Sequence, residues 1–201
     1  MGPSFAVEQS RLSMSTRQAE IFRELVELYL KRGFSGFTLE QAAAELRCSK
    51  STIYALAGSR EQLVRAVVVS FFREAAEHVE ERLTTVGDPL LRVAAYLDAV
   101  ADELRPASAA FMDDVAAFAP AREIYERNTA IATQRVHELI LDGMAAGVFR
   151  EVPSAFIAEV ISTVMVHIQR RDFARNTGLT DSEAYAELAG LFVNGIISKN
   201  A

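Results

Sequence analysis

Cysteine is almost missing from this chain of 201 residues: Cys48 stands alone, so no disulfide can form within it. That excludes the stapled scaffold of a small secreted domain and leaves apolar burial as the source of stability. Proline and glycine are also sparse, at five and ten residues. With Ala, Glu, Leu and Val filling the space, the composition leans helical. No apolar run approaches the roughly 20 residues of a membrane-spanning helix. The longest, from Val160 to Ile168, is interrupted by Ser162, Thr163 and His167. The opening Met1 to Ala6 has neither the basic start and long apolar core of a signal peptide nor the Ser or Thr of a myristoylation motif, so a cytoplasmic location is expected. An excess of positive charge is lacking too: 21 basic against 27 acidic residues give −6. That balance argues against a protein that coats nucleic acid or anionic membrane.

What is present is a series of helices with clear punctuation. Residues 1–14 read as a loose leader. Ser15 and Gln18 form a capping box, and Ile21, Phe22, Leu25, Val26, Leu28 and Tyr29 then recur at helical spacing up to a stop at Gly33. Thr38 and Gln41 open a short second helix, Ser49 a third, and Ser59 with Gln62 a fourth that runs to about Leu83. Pro89, Pro106, Pro120 and Pro153 sit where first-turn prolines belong. They divide the rest into helices near 89–105, 107–117, 121–146 and 154–175, and Thr180 with Glu183 caps a last one to about Ser198. The expectation is an all-α chain of about nine helices, with no sheet and no internal repeat.

Residues 38–57 carry the most information. Two helices of two to three turns are joined by Arg47-Cys48-Ser49, and the second begins Ser49-Lys50-Ser51-Thr52 before Tyr54. Small hydroxyls and a cation in a first turn suit a helix that enters a DNA major groove, where N-terminal N–H groups and short polar side chains approach phosphates and base edges. A surface helical hairpin is the alternative on periodicity alone. Charge separates along the chain in the same sense. Residues 15–65 hold eight basic and six acidic residues, and residues 66–201 hold twelve and twenty. Arg47, Lys50 and Arg60 flank the hydroxyl-rich helix.

The run Gly33-Phe34, Thr38 to Ala43, Ser49 to Tyr54 and Ser59 to Leu63 resembles the N-terminal signature of the TetR family of bacterial repressors, over about residues 15–65. A weaker similarity lies in Gly143 and Gly147-Val148-Phe149-Arg150, at the end of a long helix. The resemblance implies an all-helical homodimer: a three-helix helix-turn-helix domain over 15–65, and a larger ligand-binding and dimerising domain over 66–201. It implies that Thr38 and Tyr54 touch phosphate, that Ser51 and Thr52 face the groove, and that Lys50 reaches backbone or base edge. Arg47, Ser49 and Arg60 complete the expected DNA-binding set. Arg60 stands where Lys is usual. The chain departs from the pattern at Leu56, where an aromatic or His is common, and at Ala57, where Phe is usual. Together the departures imply loss of a common phosphate contact and of some packing, hence a modest DNA affinity or an unusual operator.

Residues 66–201 show no catalytic constellation, phosphate-binding loop or nucleophile elbow, so an enzyme is not expected and no cofactor is called for. His78, His137 and His167 lie on separate helices without metal spacing. Aromatic and Met residues there read either as core packing or as the wall of an apolar cavity for a small effector. Phe72, Tyr96, Phe111, Met112, Phe118, Tyr125 and Met165 would form the wall, and Asn128 and Thr129 its polar anchors. The helix bounded by Pro106 and Pro120 would be a movable lining, with Asp113 and Asp114 facing water. Apolar residues surround the helix 156–169 and recur on the last one, which predicts pairing with a second copy through Val160, Val164, Ile168, Leu188, Leu191, Phe192 and Ile196. Cys48 reads as a small semi-buried apolar residue, or alternatively as an oxidisable switch. The reading is therefore a ligand-responsive regulator of a palindromic operator, a repressor released by a small hydrophobic effector. Its two motifs would enter major grooves about 34–36 Å apart. The alternative is a dimeric helical small-molecule-binding protein with weakened or lost operator recognition.

Overall fold

The computed structural model describes residues 14–149 and 153–196. These form ten helices and no strand: α1 Thr16–Arg32, α2 Leu39–Glu45, α3 Lys50–Leu56, α4 Arg60–Thr84, α5 Pro89–Leu104, α6 Ala109–Ala117, α7 Ala119–Ala145, α8 Ser154–Gln169, α9 Asp172–Thr177 and α10 Asp181–Ile196. The leader, apart from Met14, lies outside the described residues.

Caps set most helix starts. At α1, Ser15 Oγ accepts from Gln18 N–H at 3.2 Å while Gln18 Oε1 accepts from Ser15 N–H at 2.8 Å. Thr38 and Gln41 repeat this reciprocal pattern at α2, and Thr180 and Glu183 at α10. Asp88 Oδ1 caps α5 ahead of Pro89, and Ser108 Oγ caps α6. Each cap satisfies backbone donors that would otherwise have no partner in the first turn.

The described residues divide into two compact units, one of the chain up to Phe71 together with Ala107–Ala121, the other of Phe72–Pro106 and the chain from Arg122 onward. In the first, α1 packs against α3 and α6, and α2 packs against α3. Its buried core includes Leu25, Tyr29, Phe34, Ile53, Leu63 and Phe111. In the second, α10 lies along α5 and also meets α8, with α9 against α8. Leu97, Ile161, Met165, Tyr185 and Leu188 are buried there.

Two expectations change. The single helix expected over 154–175 is broken: α8 ends at Gln169 and Arg171 takes a left-handed conformation, φ 65° and ψ 17°. The cause is tertiary, because the Arg171 guanidinium pairs with Asp181 in a buried site where each residue is 4% exposed. Tyr125 O–H donates to the other Asp181 oxygen at 3.1 Å. The second change concerns α6, expected to line an effector cavity. It packs instead among the N-terminal helices, where Ser108 N–H donates to Leu30 C=O at 2.8 Å. Phe34 meets Phe111 and Phe118 edge-on, with ring centroids 6.0 and 6.1 Å apart.

Candidate functional site

The candidate nucleic-acid interface is built from α2, α3 and the turn between them. Ala42, Ala43, Ile53 and Leu56 are buried, which fixes which sides of both short helices face outward. Leu56, noted in the sequence as a departure, thus serves the core. Outward stand Thr38, Arg47, Ser49, Lys50, Ser51 and Tyr54, all exposed, with Thr52 half-buried. Ser49 Oγ accepts from Thr52 N–H at 3.1 Å and lies 2.7 Å from Ser51 Oγ and 2.8 Å from Thr52 Oγ1. Three hydroxyls therefore converge at the start of α3. Seven of the eight residues expected to contact DNA are gathered here in an open, polar arrangement.

Two features of this face were not legible in the sequence. The Lys50 ammonium is ion-paired with the Glu40 carboxylate on α2 and sits 5.7 Å from the Tyr54 ring centroid. The shared hydrogen bond holds Glu40 below and Lys50 above its ordinary titration range. Arg47 adopts a left-handed φ of 49°, a conformation that side chains other than glycine take at some cost. Arg60, the eighth residue, is turned to another task. Its Nη2 donates to Phe34 C=O at 2.7 Å and its Nε to Phe37 C=O at 3.4 Å. It still borders an open cleft of about 470 Å³ with Thr38, Glu40 and Tyr54.

The turn before α2 is clamped from the opposite side by Asp114, which was expected to face water. Its Oδ2 accepts from both Phe34 N–H at 2.6 Å and Ser35 N–H at 2.7 Å. This contact also explains Gly33: its φ is 74°, and a Cβ there would lie 2.5 Å from the Asp114 oxygen. Cys48 is half-buried, and desolvation raises its thiol pKa. The nucleophilic thiolate of a redox switch is disfavoured under those conditions.

The second unit contains a cavity of about 80 Å³ bounded by α4, α5, α7 and α10. Of the nine residues expected at a ligand wall, Phe72, Tyr96, Tyr125, Asn128 and Thr129 line it. Phe72 and Tyr125 stack with centroids 4.7 Å apart. The other four are elsewhere. Phe111 and Met112 are buried in the first unit and Phe118 is half-buried there, because α6 belongs to that unit. Met165 is buried on α8, away from this wall. Glu103 and Tyr185 line the cavity without having been singled out. Glu103 Oε2 lies 3.1 Å from His78 Nδ1, and that partner raises the His78 pKa. A larger, polar groove of about 480 Å³ runs between α7 and α8, past Glu126, Glu159, Ser162, His167 and Arg170. Among the described residues no group of three His, Cys, Asp or Glu converges as a metal site. Also among them, no helix is long and apolar enough to cross a membrane.

Of the residues expected at a dimer interface, Val160 and Leu191 are exposed, at 43% and 71%. Phe156, at 63%, extends the α8 stripe. Val164 is half-buried, whereas Ile168, Leu188 and Phe192 are already consumed by the core of their own chain. The Phe192 ring meets Phe149 edge-on at 5.7 Å. Ile196 ends α10, and its side chain lies outside the described residues.

No family model matches the chain, and no curated protein does. Solved structures do. A TetR transcription regulator from Haloarcula marismortui superposes with a TM-score of 0.70 at 17% identity, covering 92% of this chain and 100% of that one. The ketosteroid transcriptional regulator of Mycobacterium tuberculosis gives 0.61 at 16%, covering 93% and 98%. A transcriptional regulator from Saccharomonospora viridis, solved in complex with choline, gives 0.71 at 16%, covering 92% and 100%. The chain has the TetR fold.

Proposed function

Starting from a chain with the TetR fold, we propose that it is a DNA-binding transcriptional regulator, a homodimer whose α3 helices read successive major grooves of a palindromic operator. The observation that carries this reading is the outward face of α3. Buried Ile53 and Leu56 anchor the helix, while Ser49, Lys50, Ser51 and Tyr54 stand exposed at its start and along its outer side. A helix in a purely structural role would not gather three hydroxyls and a lysine on one open surface. On DNA, Thr38, Lys50 and Tyr54 would hold phosphates, Ser51 and Thr52 would meet base edges, and Arg47 would lie beside the backbone. Arg60 would act mainly by fixing the turn before α2.

The cavity of the second unit is the proposed effector site, and a small organic occupant would release the operator, making the chain a repressor. The choline held by a neighbour of the same fold supports an occupant of that size. The coupling between sites is expected at about 1–3 kcal/mol.

Mobility shift and filter binding with the intergenic DNA upstream of the chain's own gene test the reading. The wild type is expected to bind a discrete site with strong salt dependence. Lys50→Ala should weaken binding to all sequences and reduce the salt slope by about one. Ser51→Ala and Thr52→Ala should change sequence preference more than overall affinity. Unchanged salt dependence in Lys50→Ala would remove that phosphate contact. Absence of any site-specific complex would favour the alternative, a helical ligand-binding dimer that has lost operator recognition.

A further inference from the structure

The cavity bounded by α4, α5, α7 and α10 has a chemical bias that its size alone does not convey. Among the described residues lining it, Glu103 is the one charged group, and no Lys, Arg or His lines it. Four aromatic rings, Phe72, Tyr96, Tyr125 and Tyr185, contribute to the wall. Thr129 is 4% exposed, and among the described residues its Oγ1 has no hydrogen-bond partner. The space, about 80 Å³, suits a compact head group and not a drug-sized body.

Each class of occupant meets these groups differently. An anion would face the Glu103 carboxylate and the negative faces of the aromatic rings, both repulsive in a site of low polarity. A neutral hydrocarbon would fill the space but leave the buried Thr129 hydroxyl without a partner and gain nothing from Glu103, whose carboxylate is already paired with His78 on one side. A cation with alkyl groups spread over its charge avoids both penalties. It is weakly hydrated, its alkyl groups pack on the rings, and its charge is attracted both by the rings and by Glu103.

We infer that this cavity selects a compact organic cation, an alkylated ammonium head that also carries one hydrogen-bonding group for Thr129. Aromatic rings hold the alkyl groups, Glu103 supplies the opposing charge, and Thr129 Oγ1 meets the polar end. The inference rests on the reading of this cavity as the effector site, and it sharpens the merely hydrophobic effector expected from the sequence. Glu103 is the residue that decides charge preference. His78 positions it from α4, 3.1 Å away.

The test is calorimetric titration of the full chain with three probes of one shape: choline, its uncharged carbon isostere dimethylbutanol, and the anion dimethylbutanoate. Choline is expected to bind about tenfold or more tighter than the neutral alcohol, with the anion weaker still. Glu103→Gln should cut the preference for choline over the alcohol several-fold, leaving the part that the rings supply, while Glu103→Asp keeps the full preference. Thr129→Val should weaken choline and the alcohol by similar factors, since both carry the hydroxyl. Equal binding of choline and the alcohol, preference for the anion, or no binding of choline at millimolar concentration would each overturn the inference. Operator release is scored separately. Choline that binds with the expected preference but leaves DNA bound supports this ligand chemistry and removes the regulatory reading. Release by neutral compounds, with no charge preference in the titrations, overturns the ligand chemistry alone.

Discussion

Glu40 stands on the surface assigned to DNA, where a carboxylate opposes phosphate. Paired with Lys50, it cancels one of the few cations of the face. Glu40→Gln should therefore raise affinity for every DNA sequence and steepen the salt slope by about one, read from binding constants across a salt series. Asp114 acts at the same scale through backbone N–H groups. Hydrogen bonds to a charged acceptor contribute about 1.5–3 kcal/mol each, so Asp114→Ala, which removes two, should destabilise the chain by about 3 kcal/mol or more in urea unfolding. Asp114→Asn should recover part of that, because one amide oxygen remains. Cys48 should react with a thiol reagent near neutral pH more slowly than free cysteine, because burial keeps its thiol protonated. Fast alkylation would reopen the redox reading.

At the scale of elements, capping residues made most helix starts legible. Ser15, Thr38, Ser49, Asp88, Ser108 and Thr180 all act as side-chain caps, since a cap is a local transaction between a side chain and the next turn. The break between α8 and α9 was not legible. Nothing in Arg170-Arg171-Asp172 stops a helix, and the left-handed turn at Arg171 is imposed by Asp181, ten residues on. Flanking prolines likewise marked α6 as a short helix but not which helices it faces. The site followed the same division. Polar residues clustered in sequence around α3 were found, whereas Glu103 and Tyr185 reach the cavity wall from separate helices with no local mark. The α9–α10 junction gives a test. Asp181→Asn removes the carboxylate charge that faces the buried Arg171 guanidinium and should destabilise the chain by about 3 kcal/mol in urea unfolding. Tyr125→Phe, which removes one hydrogen bond to that carboxylate, should cost about 1.5–3 kcal/mol. Between α4 and α5 the His78 pKa is raised by Glu103, so the pair stabilises fully below the ordinary imidazole value, near pH 6.5. That contribution is lost as pH rises through the folded value, and a His78→Gln variant should show a flatter stability profile across that window.

For the molecule as a whole, the global −6 conceals a basic N-terminal segment and an acidic remainder. That division suits a compact, salt-sensitive DNA contact made by one small region. The proposed dimer draws on exposed Phe156, Val160 and Leu191, an apolar set on α8 and α10 that is costly to leave in water. Light scattering at micromolar concentration should give twice the chain mass, and Val160→Glu with Leu191→Glu should give a folded monomer. The make-up of the first unit has a consequence for how the chain is born. Phe34 and Leu30 near its start find partners in Phe111, Phe118 and Ser108, so a fragment ending at residue 71 carries the α3 helix but not the support beneath it. During synthesis the helices proposed to read DNA would wait, incompletely packed, until residues to about 121 have left the ribosome. A stand-alone DNA-binding fragment would have to join two stretches of chain that translation produces about 35 residues apart.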